Sequence, residues 1–562
     1  MSRSGFALAA ALLLLAGAAG AQAQGSGVPN GKPQVLAPNR PAHVAPKSLL
    51  APVQPLGGVP QTYSGTPIDV TTYHYDNLRT GWNQTETDLT PATVASSKFG
   101  LLASLTVDGN VFAQPLLVSN FIMPDRTKHD VLIIVTGHNS VYAFDAQTFA
   151  VLWQVNLGTS QSSNDVGCTD VTPEYGISST PVILRGGPAS ARLYVVAATE
   201  PSHLEFETKL HELDLGTGAD VVPPVVISPS ATLSNGSTLT FDPQNQWNRA
   251  SLAMQDGSIY IGIGSHCDNN AYSISGWLLR YDTQLALKSS FHTIETPNGY
   301  ELASIWMTGF APAIDANGFV FVVTGNGDYA GHGADDWGQS VLKIWPTGVV
   351  KDRFTEATYN ALNAHDTDFG SGGVMLLPTV SGQTAPPMAV AMGKDAVLYL
   401  LNQDDLGGLR IMNKGALQAL RVGEVGGGLW GGPAYYDGPS GPTVFAQING
   451  DVLRAFQVNT GATPGLTRGV TGTSGAGYGG SIPIVSSKGA TAGTGVVWLV
   501  RRSSPIEIEA YDAVALGAPI YSANIGAWSN PGQGNPFLTL AEANGRVYVA
   551  AYKVVKVFGL TE

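Results

Sequence analysis

Val131–Leu157 reads VLIIVTGHNSVYAFDAQTFAVLWQVNL. An apolar run, V-L-I-I-V, meets a turn at Gly137-His138-Asn139. The chain returns through V-Y-A-F, turns again after Asp145, and leaves through V-L-W-Q-V-N. This is strand, tight turn, strand, tight turn, strand, with turn residues where positive φ or an Asx bond is useful. A β-unit this short cannot bury its own apolar face. Its degenerate copies must therefore stack or close into a ring.

Copies recur down the chain. Eight are legible, at residues 109–158, 176–220, 248–291, 306–345, 368–408, 429–461, 477–524 and 535–560. Each opens on a Gly/Pro-rich approach, runs through an apolar strand, turns, and returns through V-Y-V-A or its equivalent. Asp145, Asp214, Asp282 and Asp512 each end a third strand, where a carboxylate can accept turn N–H groups. Trp153 is expected to fill the gap to the next repeat. The last repeat has no room for an outermost strand, and the strand-like FGLLASLTV at Phe99–Val107 has no repeat of its own. Closure solves both. The expectation is an all-β, eight-bladed propeller of four-stranded antiparallel blades, closed by the N-terminal strand, which removes the free edge of an open array.

Composition agrees. Glycine accounts for 68 of 562 residues, proline for 35, and charged residues for only 13%, as many short strands joined by tight turns require. The formal charge is −13, and no basic stripe offers a nucleic-acid surface. Residues 1–23 have the basic start, apolar middle and Ala21-Gln22-Ala23 ending of a signal peptide. Residues 24–66 are rich in Pro, Gly and Ala and read as a disordered leader. Residues 67–562 are assigned to the propeller. No later segment resembles a membrane span, so the mature chain is expected to be exported, periplasmic or extracellular. The two cysteines, Cys168 and Cys267, lie in turn-like acidic segments. They form one disulfide, closing a loop of about a hundred residues and contributing ~3–4 kcal/mol, or none.

Several clusters carry candidate chemistry. Arg249 stands just before a strand and can grip a carboxylate or another anionic oxygen as a fork. His266 with Asp268 makes an acid–base arrangement; the alternative is a structural turn with Cys267 in a disulfide. Asp165, Asp170 and Glu174, with Asn164, form an oxygen-rich loop able to hold calcium, though without a spaced EF-hand pattern. Asp366 and Asp368 precede a glycine-rich strand and are candidate proton-abstracting carboxylates, against a simple turn-capping role. The loop Gly325–Tyr329, followed by His332 and Asp335-Asp336-Trp337, is a weaker metal candidate, with Trp337 favoured as packing. Trp430 and the stretch Tyr478-Gly479-Gly480 also precede innermost strands, where an indole can floor a flat ligand and glycines let it approach. A G-x-S-x-G elbow is absent, so serine-hydrolase chemistry has no support.

V-Y-A-F-D-A-Q-T with Trp153 resembles the PQQ-type repeat of quinoprotein propellers. HYDNLRTGWN resembles the entry segment of that superfamily, and GISSTPVI, DTDFGSGG, AMGKDAVLYLLNQDDLGG and NGRVYVAAYKVVKVFGL resemble an exported bacterial quinoprotein-like subgroup. The resemblance covers Tyr73 to Leu560. It implies a PQQ-dependent dehydrogenase of an alcohol or sugar, with pyrroloquinoline quinone (PQQ) on the axis, calcium beside it, and a carboxylate base. On that reading Asp366, Asp368 and His266 are catalytic, Arg249, Trp430 and Gly479 meet the cofactor, and Asp165, Asp170 and Glu174 meet calcium. The chain departs from the enzymes in lacking an adjacent Cys-Cys pair and a C-x-x-C-H haem motif. The alternative is a non-catalytic propeller that binds a glycan, a peptide or an envelope protein on its loop-rich face.

Overall fold

The computed structural model describes residues 58–269, 274–296, 302–331, 334–424, 426–527 and 538–562. The chain divides into Met1–Arg40 and Pro41–Glu562, and every described residue belongs to the second unit. The signal peptide, most of the leader and His332 lie outside the described residues.

Eight antiparallel sheets follow one another as the blades of a propeller. The first blade holds Leu116–Ile122, Lys128–Val135, Ser140–Asp145 and Val151–Asn156, paired in sequence order. The opening stretch of the sequence is thus its second, third and fourth strands. The innermost strands of blades 2 to 7 are Val182–Gly187, Ala253–Gln255, Ala313–Ile314, Val374–Leu376, Ala434–Gly438 and Ile484–Ser486. Strand interiors such as Val131–Val135 and Val320–Val323 are buried on both faces. They pack against neighbouring blades on each side, which is why they read as continuous rather than alternating apolar runs.

The eighth blade closes the ring. The 15-residue strand Arg546–Leu560 pairs with Leu540–Ala543 through its start. Through Tyr552–Leu560 it pairs with Phe99–Asn110. N-terminal closure is confirmed. The run Arg546–Leu560 doubles back near Lys553, which takes φ 57°, so that a Cβ on Gly559 would lie 2.9 Å from Gly545 O; its two arms, with Leu540–Ala543 and Phe99–Asn110, complete a four-stranded blade.

The turn aspartates do what their positions imply. Asp145 accepts from the backbone of Gln147 and Thr148, Asp282 from Gln284 and Ala286, and Asp512 from Val514 and Ala515. Trp153 packs between blades 1 and 2, donating its indole N–H to Leu215 O at 2.9 Å. Trp337 is buried and packs edge-on to Tyr329, as packing predicts.

One boundary shifts. The described chain is already packed before residue 67: Gln61 N bonds Leu560 O, and Tyr63 OH donates to Thr85 O. Backbone donors beside the closing strand find partners there, which a compositional reading of the leader misses. The stretch Pro223–Trp247, between blades 2 and 3, carries strands of its own. Val225–Val226 forms the outer strand of blade 2, and Ser230–Thr232 pairs with Thr238–Thr240 as a hairpin.

The segment Val70–Asn83 crosses the axis and ties the blades together. Val70 bridges Leu117 of blade 1, and Thr71 O accepts from Ile183 N of blade 2. Asn77 reaches blades 3 and 4, Leu78 blade 5, Thr80 blade 6, Gly81 blade 7, and Tyr75 OH blade 8. Arg79 is fully buried at its centre and donates to Pro312 O, Tyr73 O, Asp76 O and Thr72 Oγ1. Above this segment Phe310 packs on Tyr73 and His74 at 5.2 and 5.0 Å. A Cβ on Gly373 or Gly432 would come within 2.1 or 2.0 Å of the Phe310 ring, so glycine is required at both. One end of the axis is therefore filled. Among the described residues no helix is long and apolar enough to cross a membrane.

Candidate functional site

At the other side of Phe310 the axis opens into a cavity of about 370 Å³. Its lining includes Asp170, Arg249, Asp268, Trp306, Asp366, Asp368, Lys394, Trp430 and Tyr478. The topology explains the gathering. Asp170, Arg249, Trp306, Asp366 with Asp368, Trp430 and Tyr478 each stand shortly before the innermost strand of blades 2, 3, 4, 5, 6 and 7 respectively. Asp268 and Lys394 follow the second strands of blades 3 and 5. In an antiparallel blade the start of the first strand and the end of the second share one rim.

Blade 5 supplies the ionic centre. Lys394 Nζ lies 2.6 Å from Asp368 Oδ2 and 3.3 Å from Asp366 Oδ1. Asn326 N donates to Asp368 Oδ1 at 2.8 Å, and Asn326 Nδ2 to Asp366 Oδ1 at 2.7 Å. The Gly325–Tyr329 loop thus organises the two aspartates. Burial pushes the Asp368 carboxyl up, but Lys394 and the Asn326 N–H outweigh it and hold it below the usual range. Burial likewise opposes the Lys394 charge, and the two aspartates more than restore it. Asp366 stands at the mouth with its side chain 72% exposed; burial of its remainder and then Asp368 move it upward.

Blade 3 supplies the opposing wall. The Arg249 guanidinium stacks 4.4 Å from the Trp306 ring centroid and 5.7 Å from that of Trp247. Burial lowers its pKa to about 10, against the raising field of Asp170. Asp268 accepts from Ser265 Oγ at 2.5 Å. Burial, then Asp368, raises its carboxyl to about 6. Cys267 and Asp268 both take positive φ, 48° and 50°, a conformation costing L-residues about 1–2 kcal/mol each. The Cys168–Cys267 disulfide, with Cα atoms 5.6 Å apart, anchors this turn and joins it to the 163–175 loop. Of the two alternatives for the cysteines, pairing is the one found.

The structure brings together Arg249, Asp170, Asp366, Asp368 and Trp430, and sets Gly479 behind the rim, its carbonyl accepting from Trp430 N at 3.0 Å. It does not bring in His266. That imidazole is buried, stacked on Trp247 at 5.2 Å and edge-on to Tyr175 at 4.4 Å, with neither ring nitrogen hydrogen-bonded. Burial and then Arg249 lower its pKa to about 3, so it is a neutral packing ring rather than an acid–base partner of Asp268. The calcium trio is also dispersed. Asp165 faces His203 at 3.3 Å, and Glu174 pairs with His138 at 2.9 Å and Ser160. Only Asp170 reaches the cavity, because neighbours in a loop point in different directions.

Lys394 and Trp306 escaped the reading of the sequence, and Asn326 entered it only within the Gly325–Tyr329 loop as a metal candidate. Lys394 sits in a G-K-D turn, where lysine is ordinarily solvated. Its signal was position, on the same rim as Arg249. It lies 5.6 and 5.8 Å from the ring centroids of Trp306 and Trp430, between the two indoles.

No protein-family model matches the chain, and no curated protein matches it. Solved structures do. A quinohemoprotein alcohol dehydrogenase from Comamonas testosteroni aligns with TM-score 0.56 and 16% identity, over 87% of this chain and 80% of that one. A europium-containing methanol dehydrogenase gives 0.55 and 14%, over 88% and 91%. A quinohemoprotein alcohol dehydrogenase from Pseudomonas putida HK5 gives 0.54 and 12%, over 88% and 80%. At such identities the likeness establishes a shared propeller fold and leaves activity to the site.

Proposed function

We propose that the chain is a quinoprotein dehydrogenase that takes PQQ and a divalent cation into the axial pocket and oxidises an alcohol or a sugar. The observation that carries this reading is the meeting of Arg249, Lys394, Trp306, Trp430 and the Asp366–Asp368 pair around one open axial cavity. Four lining carboxylates, Asp170, Asp268, Asp366 and Asp368, face two lining cations, Arg249 and Lys394. A polycarboxylate quinone suits this wall only with a metal cation beside it, and hard carboxylate oxygens suit calcium. The donor set therefore fits the pair of groups. Asp366, exposed at the mouth, would hold the cation, Arg249 and Lys394 the quinone oxygens, and the indoles a flat ring.

When bound, the quinone supplies a two-electron acceptor for the hydride equivalent. The chain's own residues do the rest. Asp368 is committed to Lys394 and Asn326 N, so it fixes the lysine. Asp268 faces the cavity beside Ser265 and takes the substrate hydroxyl proton. Trp306 and Trp430 exclude water from two sides. Export, argued from residues 1–23 and the disulfide, belongs to the same proposal.

A non-catalytic propeller that binds a glycan, peptide or envelope protein is the second reading. It is favoured by the lack of an adjacent Cys-Cys pair and of a haem motif in the sequence. Calorimetric titration of metal-stripped protein with PQQ, with and without Ca²⁺, separates the two. One-to-one binding that requires Ca²⁺ supports the enzyme; absence of binding at tens of micromolar removes it.

A further inference from the structure

Tyr478 stands at the rim of the axial pocket, between the outer strand of blade 6 and the innermost strand of blade 7. It is 50% exposed, whereas Trp430 beneath it is 6% exposed. Their ring centroids are 5.1 Å apart at 42°. Paired aromatic rings already fill that spacing, so no third ring fits between them. The Arg502 guanidinium lies 5.6 Å from the centroid of the Tyr478 ring.

The backbone that carries Tyr478 is pinned. Gly480 N donates to Gly477 O at 3.2 Å, closing a four-residue turn, and Gly479 takes φ 84° at the position where such a turn needs it. A Cβ on Gly477 would lie 1.6 Å from Arg502 O, and one on Gly480 2.3 Å from Gln447 O. Gly479 O accepts from Trp430 N. Three neighbouring segments thus hold the turn. Movement at this rim belongs to the tyrosine side chain, and exposed side chains change rotamer in picoseconds to nanoseconds.

We propose that Tyr478 is a side-chain gate: its ring covers the indole of Trp430 and swings aside, on a fixed turn, to admit a planar ligand. The closed rotamer lowers the apparent affinity and the association rate of anything that must lie on Trp430. The planar ligand rests on the quinone reading given above; the gate itself rests on the ring contact and the pinned turn.

Two measurements separate the gate from that reading. Stopped-flow quenching of tryptophan fluorescence by PQQ with Ca²⁺ is compared in the wild type, Tyr478→Ala and Tyr478→Phe. The alanine variant is expected to associate about tenfold faster, and the phenylalanine variant at the wild-type rate, because the ring rather than the hydroxyl closes the site. Binding of the alanine variant at or below the wild-type rate overturns the gate. Acrylamide quenching, taken as the difference between each protein and its Trp430→Phe counterpart, reports the exposure of Trp430 without any quinone. Tyr478→Ala is expected to raise that difference several-fold. An unchanged difference overturns the gate even if PQQ binds, and a raised one sustains it even if PQQ does not.

Discussion

Lys394 Nζ lies 2.6 Å from Asp368 Oδ2, and the two side chains are only 12% and 5% exposed. A buried pair of this kind adds little over an apolar pair, but removing one partner strands the other. Lys394→Ala should therefore lower stability by about 3–5 kcal/mol, read as a shift of the urea midpoint. The double variant Lys394→Met, Asp368→Asn should recover most of the loss. Equal losses in the single and double variants would contradict the pairing.

Asp268 has a folded pKa of about 6, raised by burial and by Asp368. Raising a carboxyl disfavours its charged form in the fold. Its contribution to stability is therefore present below the ordinary carboxylate range and lost as pH rises through about 6. Asp268→Asn should flatten the fall in melting temperature between about pH 4 and 7. A wild-type stability that rises across this window because of Asp268 would reverse the sign and contradict the burial argument.

Glu542 in the closing blade is buried, accepts from Asn83 Nδ2 at 2.8 Å, and has its Oε1 without a partner. Burial and then Glu86 raise its pKa well above normal. The sign is the same: the carboxyl is tolerated neutral, and stability is lost as pH rises through its folded value. Glu542→Gln should raise the melting temperature at alkaline pH and change it little under acid conditions. A loss that grows as pH rises above the carboxylate range would show instead that the carboxyl is held as an anion.

The Cys168–Cys267 disulfide spans a sequence separation of 99 and lies in the pocket wall through Cys267. Its removal by Cys168→Ser with Cys267→Ser should cost about 2–5 kcal/mol. Because it anchors the turn bearing Asp268, the proposed proton acceptor, the loss should be accompanied by slower substrate oxidation. Unaltered turnover with reduced stability would confine the bridge to a folding role.

The fold was legible in the sequence because its information is local. V-Y-A-F-D-A-Q-T-F gives strand, Asx turn and strand without reference to the rest of the chain, and the unpaired Phe99–Val107 announces closure. The site was legible where position alone decides. Arg249, Asp366, Asp368 and Trp430 each precede an innermost strand, and a propeller brings such positions to one rim. Direction within a loop is set by tertiary contacts, so His266 and Asp268, two residues apart, diverge into the Trp247 stack and the cavity. The same reason scatters Asp165 and Glu174 away from Asp170. Lys394 was overlooked because a turn lysine looks solvated until Asp368 is placed 2.6 Å from it. The axial role of Val70–Asn83 was equally hidden, since its hydrogen bonds reach all eight blades, far apart in sequence.

The central claim is that the rim of carboxylates, cations and indoles binds a quinone with a metal cation. The most direct measurement is the binding isotherm of PQQ to metal-stripped protein with Ca²⁺ present and absent, repeated with Arg249→Ala and Lys394→Met. The account predicts one-to-one binding in the presence of Ca²⁺, weakened at least tenfold by either substitution, the loss of one charge-assisted contact being worth about 1.5–3 kcal/mol. Binding that ignores both Ca²⁺ and these two cations, or no binding at tens of micromolar, would contradict it.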